Sequence, residues 1–161
     1  MSKETILPIA KSGNYPYTIY TIRHSKKLAA DLKRGGKGIF TEKKPWTTAQ
    51  DFLRRAQELD QKLPIIFADA ETVEGLIYFA YIDELDVSLP DEKNRRTTTI
   101  HFSSLRRFRK MYALEWLVLK STGDHLSNSF IRNLAYCHTP DFLPAPKEAK
   151  RKRAAKTVAR R

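Results

Sequence analysis

Apolar and polar positions alternate or recur along the chain in ways that set out most of its elements. Tyr15-Pro16-Tyr17-Thr18-Ile19-Tyr20-Thr21-Ile22 is aromatic and β-branched, which predicts a strand. Ser25 to Lys33 predicts a short helix with Ser25 as its N-cap, stopped by Gly35-Gly36 and followed by a basic loop at Lys37-Gly38. Thr47 and Gln50 match a capping box, so a second helix is predicted from there to about Gln61, with Phe52, Leu53, Ala56 and Leu59 as its buried stripe. Pro64–Ala68 and Gly75–Ile82 predict two strands, the second being the longest apolar run and the expected centre of a sheet. A loop over Leu89–Asn94 leads to a strand at Thr97–Phe102. Leu105, Phe108, Met111, Leu114, Leu117 and Val118 then recur at helical spacing, and Ser127 caps a last predicted helix with Phe130, Ile131, Leu134 and Ala135 inward. Pro140, Pro144 and Pro146 end the pattern, so the fold class expected is α+β.

Composition adds boundaries. A chain of 161 residues with 8 Phe, 7 Tyr and 2 Trp supplies one domain with a real core, placed at residues 1–146. Residues 147–161 hold eight bases, one acid and no aromatic residue, so they cannot offset the entropy of ordering and predict a disordered basic tail. No apolar run reaches the roughly 20 residues that cross a bilayer, and the first residues lack a secretion signal. The expectation is a cytoplasmic protein, or a nuclear or nucleoid-associated one, with no membrane contact. Cys137 is the single cysteine, which rules out an intrachain disulfide.

Charge is the strongest signal in the composition. Thirty Lys and Arg against eighteen Asp and Glu give a net +12, a balance that attracts polyanions. The tail, with Lys150-Arg151-Lys152-Arg153 at its centre, supplies a net +7 of it. Residues 23–44 carry Arg23, Lys26, Lys27, Lys33, Arg34, Lys37, Lys43 and Lys44 against two acids, and residues 93–110 carry seven bases, Arg106 and Arg107 among them, with no acid. Residues 69–92 carry eight acids and no base. Two readings of that segregation stand: basic blocks that hold phosphate, or an acidic block that pairs with a basic one across a sheet.

The search for chemistry returns little. None of the four histidines lies in a metal-ligand spacing, and Cys137-His138 point apart as neighbours, so no metal and no cofactor is expected. Gly35-Gly36-Lys37-Gly38 lacks the first Gly and the Ser or Thr of a phosphate-binding P-loop, though its backbone is free to approach a phosphate. His24, among Arg23, Lys26 and Lys27, is the one candidate for general acid–base cleavage of RNA. No signature names a reaction.

Trp46 opening a helix with Ala49, Phe52 and Leu53, then a short strand and a longer one from Gly75 to Val87, resembles the PUA-like superfamily, with EVE and ASCH domains nearest in pattern. The resemblance spans residues 15–105. It implies a small curled β-barrel-like sheet with packed helices, RNA or modified-base binding, and Trp46 as a stacking wall; the alternative for Trp46 is a hydrophobic plug. Asp60-Gln61-Lys62-Leu63 stands where the EVE pattern has a Gly-Asp pair. The function expected is nucleic-acid binding, RNA before DNA, through Arg23, Lys26, Lys27, Lys33, Arg34, Lys37, Trp46, Arg106, Arg107 and the tail cations. The alternatives are a metal-independent ribonuclease on the same surface, or a protein-interaction module using the acidic segment 69–92.

Overall fold

β-branched and aromatic residues pair into one six-stranded sheet in the computed structural model, which describes residues 8–69, 75–126 and 134–146. The strands are β1 (Tyr17–Arg23), β2 (Gly38–Glu42), β3 (Leu63–Asp69), β4 (Gly75–Val87), β5 (Thr98–Ala113) and β6 (Leu134–His138). Helix α1 (Ser25–Lys33) and helix α2 (Thr47–Glu58) lie between the first three. The sheet order is β2-β5-β4-β3-β1-β6, antiparallel except for the parallel pair of β1 with β3. That parallel pair needs a long crossover, and α1, β2 and α2 supply it. The ends of the order, β2 and β6, do not pair with each other. The fold is therefore α+β around an open sheet, and the expected closed, barrel-like curl is corrected.

Period-2 alternation divides the core between the two faces of the sheet. On one face Ile19, Ile65, Phe67, Tyr78, Ile82, Ile100 and Phe102 meet Ala49, Phe52, Leu53 and Ala56 of α2. On the other, Tyr20, Ile66, Phe79, Tyr81 and Phe108 are covered by Leu114, Leu117, Leu119, Leu126 and Leu143 of the irregular C-terminal segment. Pro144 is held there by Asn14 Nδ2 and by the Tyr81 hydroxyl, which both donate to its carbonyl at 3.1 and 2.8 Å. Burial pushes the Tyr81 phenol up to about 12, against the opposing pull of Arg106. Among the described residues, no helix is long and apolar enough to cross a membrane.

Several expectations are corrected. The three-residue spacing of Leu105 and Phe108 belongs to a strand, not a helix. β5 carries an extra residue opposite Phe79–Tyr81, where Ser104 takes a left-handed φ of 57°, and further irregularity before Leu76. The bulge at Ser104 keeps Leu105 on the face of Phe102 despite their odd spacing, and ordinary alternation then puts Phe108, three residues on, on the opposite face, while Met111 is exposed. β2 begins at Gly38, so only Lys37 of the expected Lys37-Gly38 loop stays outside an element, and Leu134 and Ala135 sit in β6 rather than in a helix. Ser127, Phe130 and Ile131 of that expected helix lie outside the described residues, as do the tail cations. α2 ends at Glu58, leaving Leu59 exposed, and no side-chain cap bond forms at either helix start, where His24 and Trp46 stand as N-caps.

Candidate nucleic-acid interface

Between α1 and the β2 edge of the sheet the structure opens a cleft of about 880 Å³. Its position follows from the glycines after α1. Gly35 and Gly36 have φ of +88° and +79°, and the Gly36 amide closes on the Asp31 carbonyl at 3.0 Å. The chain then runs directly against β5: Leu105 N donates to the Gly36 carbonyl at 3.0 Å, and a Cβ on Gly36 would lie 3.0 Å from that same nitrogen. A Cβ on Gly38 would meet the Phe102 ring at 2.3 Å. These glycines serve close approach to β5 and Phe102, and Lys37 and Gly38 line the cleft.

Arg23, Lys26, Lys27, Arg34 and Lys37 line the cleft together, facing Asp31, Asp83 and Glu84. Arg23 is the floor. Its guanidinium is half-buried, 3.3 Å from the equally sheltered Asp31 carboxylate and 5.0 Å over the Phe40 ring, while its Nε has no partner. That pairing neutralises the Arg23 charge and removes it from the free charge of the rim, while leaving its Nε unpartnered. Lys26, Lys27, Arg34 and Lys37 are exposed, and none forms an ion pair among the described residues. Four unpaired like charges around one rim repel one another, a cost that a bound polyanion relieves.

The remaining expected site residues divide. Lys33 is exposed on α1 but is not among the residues lining the cleft, and neither is His24. Trp46 is only 3% exposed, edge-on to Phe40 at 6.0 Å, with its amide donating to Thr98 Oγ1 at 2.8 Å. It is the plug, not a stacking wall. Arg106 and Arg107 do not join Lys26 and Lys27: Arg106 lies over Phe79 at 5.1 Å on the opposite face, and Arg107 stands with Arg109, Lys110 and Met111 far along β5. The acidic block meets the basic ones at two points among the described residues: Asp69 of β3 sits opposite Arg23 of β1, and Asp91 pairs with Arg95 at 3.1 Å. Between β4 and β5 it does not, since Glu84 and Asp86 sit opposite His101 and Thr99, while Arg106 and Arg107 sit opposite Phe79 and Tyr78.

Two features escaped the sequence. Glu84, Asp86 and His101 bring potential metal-ligand atoms within 4.8 Å of one another. Only the β4–β5 register joins them, and both carboxylates are exposed, as such groups often are with no ion between them. The second is Trp116, 58% exposed beside Tyr112 and Phe142, which stack at 3.9 Å and 12°. The helical reading itself carried that signal, because Trp116 fell off the apolar stripe that Leu114, Leu117 and Val118 defined. Comparison with known proteins returns no matching family and no matching curated protein.

Proposed function

We propose that the protein binds nucleic acid, RNA before DNA, through the basic rim of the α1 cleft. The observation that carries this reading is the convergence of Lys26, Lys27, Arg34 and Lys37 on one cleft with no ion-pair partner among the described residues. Phosphates fit such a rim because each contact releases condensed counterions. The tail cations Lys150 to Arg153, with their net positive surroundings, extend the same attraction. The PUA-like resemblance supports the reading through the order of α2, β3 and β4, although Trp46 takes no part in it.

The test is a titration of the full chain with single-stranded RNA over a range of salt. Reversing Lys26, Lys27, Arg34 and Lys37 to Glu should lower affinity and flatten the slope of log affinity against log salt by about 3, at roughly 0.7 per contact on a single strand. An unchanged slope sinks the cleft as the phosphate site. No RNA binding by the unmodified protein, even at low salt, would instead favour a protein partner for the acidic segment.

A further inference from the structure

We infer that the aromatic end of β5 stacks an unpaired nucleobase, with Trp116 as the platform, which makes single strands the preferred class of nucleic acid. The inference rests on the nucleic-acid reading above and adds a second contact remote from the cleft. Trp116 follows β5 directly, in a 3-10 turn over Leu114–Trp116. Leu114 anchors that turn in the core at 2% exposure, and Trp116 is turned outward by the same geometry. A large indole left in water needs an explanation, since burying such a ring is strongly favourable.

The neighbouring rings hold Trp116 without covering it. Tyr112 and Phe142 stack on each other, and Trp116 stands beside that stack with its plane across theirs, at 6.0 Å and 71° from Tyr112 and 6.2 Å and 83° from Phe142. These contacts brace the indole on one side, and its 58% exposure leaves ring surface open to a flat ligand on the other. Beside it opens a cavity of about 480 Å³, lined by Trp116, Phe142, Val118, Pro140, His125 and Asp141 among others. His125 donates from Nδ1 to the Glu115 carbonyl at 2.7 Å, which fixes its ring at the cavity wall. Asp141 and Glu115, also in the lining, are acceptors suited to the N–H groups of a base, the N3–H of uracil included, and their charge keeps phosphate outside.

The surrounding charge selects the occupant. Arg107, Arg109 and Lys110 are exposed along the last turns of β5 and form no ion pair among the described residues. Lys110 places its ammonium 5.2 Å over Tyr112, at the edge of the aromatic cluster. Open aromatic faces beside unpaired cations are the combination that holds single strands, the cations tracking phosphate and the rings taking bases. An uncharged protein partner would use the rings and leave those cations without a role. A duplex would satisfy the cations and leave Trp116 idle, because its bases are already stacked.

Trp116 fluorescence tests this directly, because Trp46 is shielded in the core. The full chain is titrated with an oligouridylate, with an RNA hairpin and with heparin, a polyanion without bases. Oligouridylate should quench and shift the emission, whereas heparin and the hairpin stem should bind without doing so. Trp116→Ala should lower affinity for oligouridylate about 5- to 150-fold with an unchanged salt slope. Trp116→Phe keeps a ring and should recover most of that loss while abolishing the fluorescence response. Binding of oligouridylate with unquenched emission overturns the inference and leaves the cleft reading standing. Failure to bind either oligouridylate or heparin overturns both. A fluorescence change that tracks protein concentration without RNA makes the patch a contact between copies, which also overturns it.

Discussion

Two basic regions of this protein differ in what accompanies their charge. Around α1, Lys26, Lys27, Arg34 and Lys37 edge a cleft whose single buried arginine is already committed to Asp31. At the far end of β5, Lys110 reaches over Tyr112 beside exposed Trp116 and a stacked Tyr112–Phe142 pair, with exposed Arg107 and Arg109 on the strand leading to it. Charge alone attracts any polyanion and fades with salt, since counterion release is its source. Rings beside charge add a contribution that depends on an unpaired base and little on salt. Net charge read from composition merges the two, and only their placement separates them.

The two tryptophans give the widest contrast. Trp46→Ala should cost about 3–5 kcal/mol of stability, the usual loss for emptying a buried aromatic site, read by urea unfolding. Trp116→Ala should stay within about 0.5 kcal/mol of the unmodified protein. Equal losses would mean that Trp116 also packs as core, and the contrast would collapse.

Gly36→Ala comes next. A left-handed φ of +79° and a 3.0 Å approach to Leu105 N both oppose the new methyl group, for an expected loss of roughly 1–3 kcal/mol. RNA affinity measured on the folded fraction should fall at the cleft, with the Trp116 fluorescence response intact. Loss of that response too would show the two regions to be mechanically joined. Combining the four cleft reversals with Trp116→Ala sharpens the same point: binding effects should add to within about 0.5 kcal/mol, as for separated sites.

The smallest effect concerns acid. Burial, with the Lys120 charge second, holds the His138 imidazole below its ordinary 6.5. The unfolded chain therefore takes up that proton first, so stability should fall as pH drops below 6.5 toward the folded value and level off under it. His138→Gln should remove that part of the slope in pH-dependent thermal melts. His138 is backbone-bonded to Val118 at the edge of the Trp116 cavity, but its ring lies against Tyr17 at 5.3 Å on the α2 face of the sheet, so RNA binding by the folded protein should not share the change.

Much of the sheet was legible because its inner strands keep a simple pattern. Ile65, Ile66 and Phe67 read as buried strand from composition alone, and α2 showed its stripe at Phe52, Leu53 and Ala56. β5 did not, since a bulge puts Leu105 on the face of Phe102, and burial of both faces then brings in Phe108, which together give the three-residue spacing of a helix. β2 was hidden by Gly38, whose lack of a side chain reads as a loop while admitting the Phe102 ring. At the site, Arg23, Lys26, Lys27, Arg34 and Lys37 were legible as neighbours because one helix and one turn carry them. Arg106 was misplaced for the same reason that β5 was: a shifted phase sends it to the other face.

The partnership of β1 with β6 has a consequence for how the chain acquires its shape. Asn14 and Pro144, joined by a hydrogen bond at the same end of the sheet, stand 130 residues apart in sequence. A ribosome adding about 5–20 residues per second needs roughly 6–26 s to deliver the second after the first. Through that interval β1 has β3 on one side and an unpaired edge of amide and carbonyl groups on the other, with Tyr20 and Thr18 still uncovered. Such an edge is a template for stray strands. Non-local closure also slows the final step once the chain is free. Nascent chains of this protein should therefore be at greatest risk of aggregation just before β6 emerges, and arresting synthesis ahead of Leu134 should expose that state.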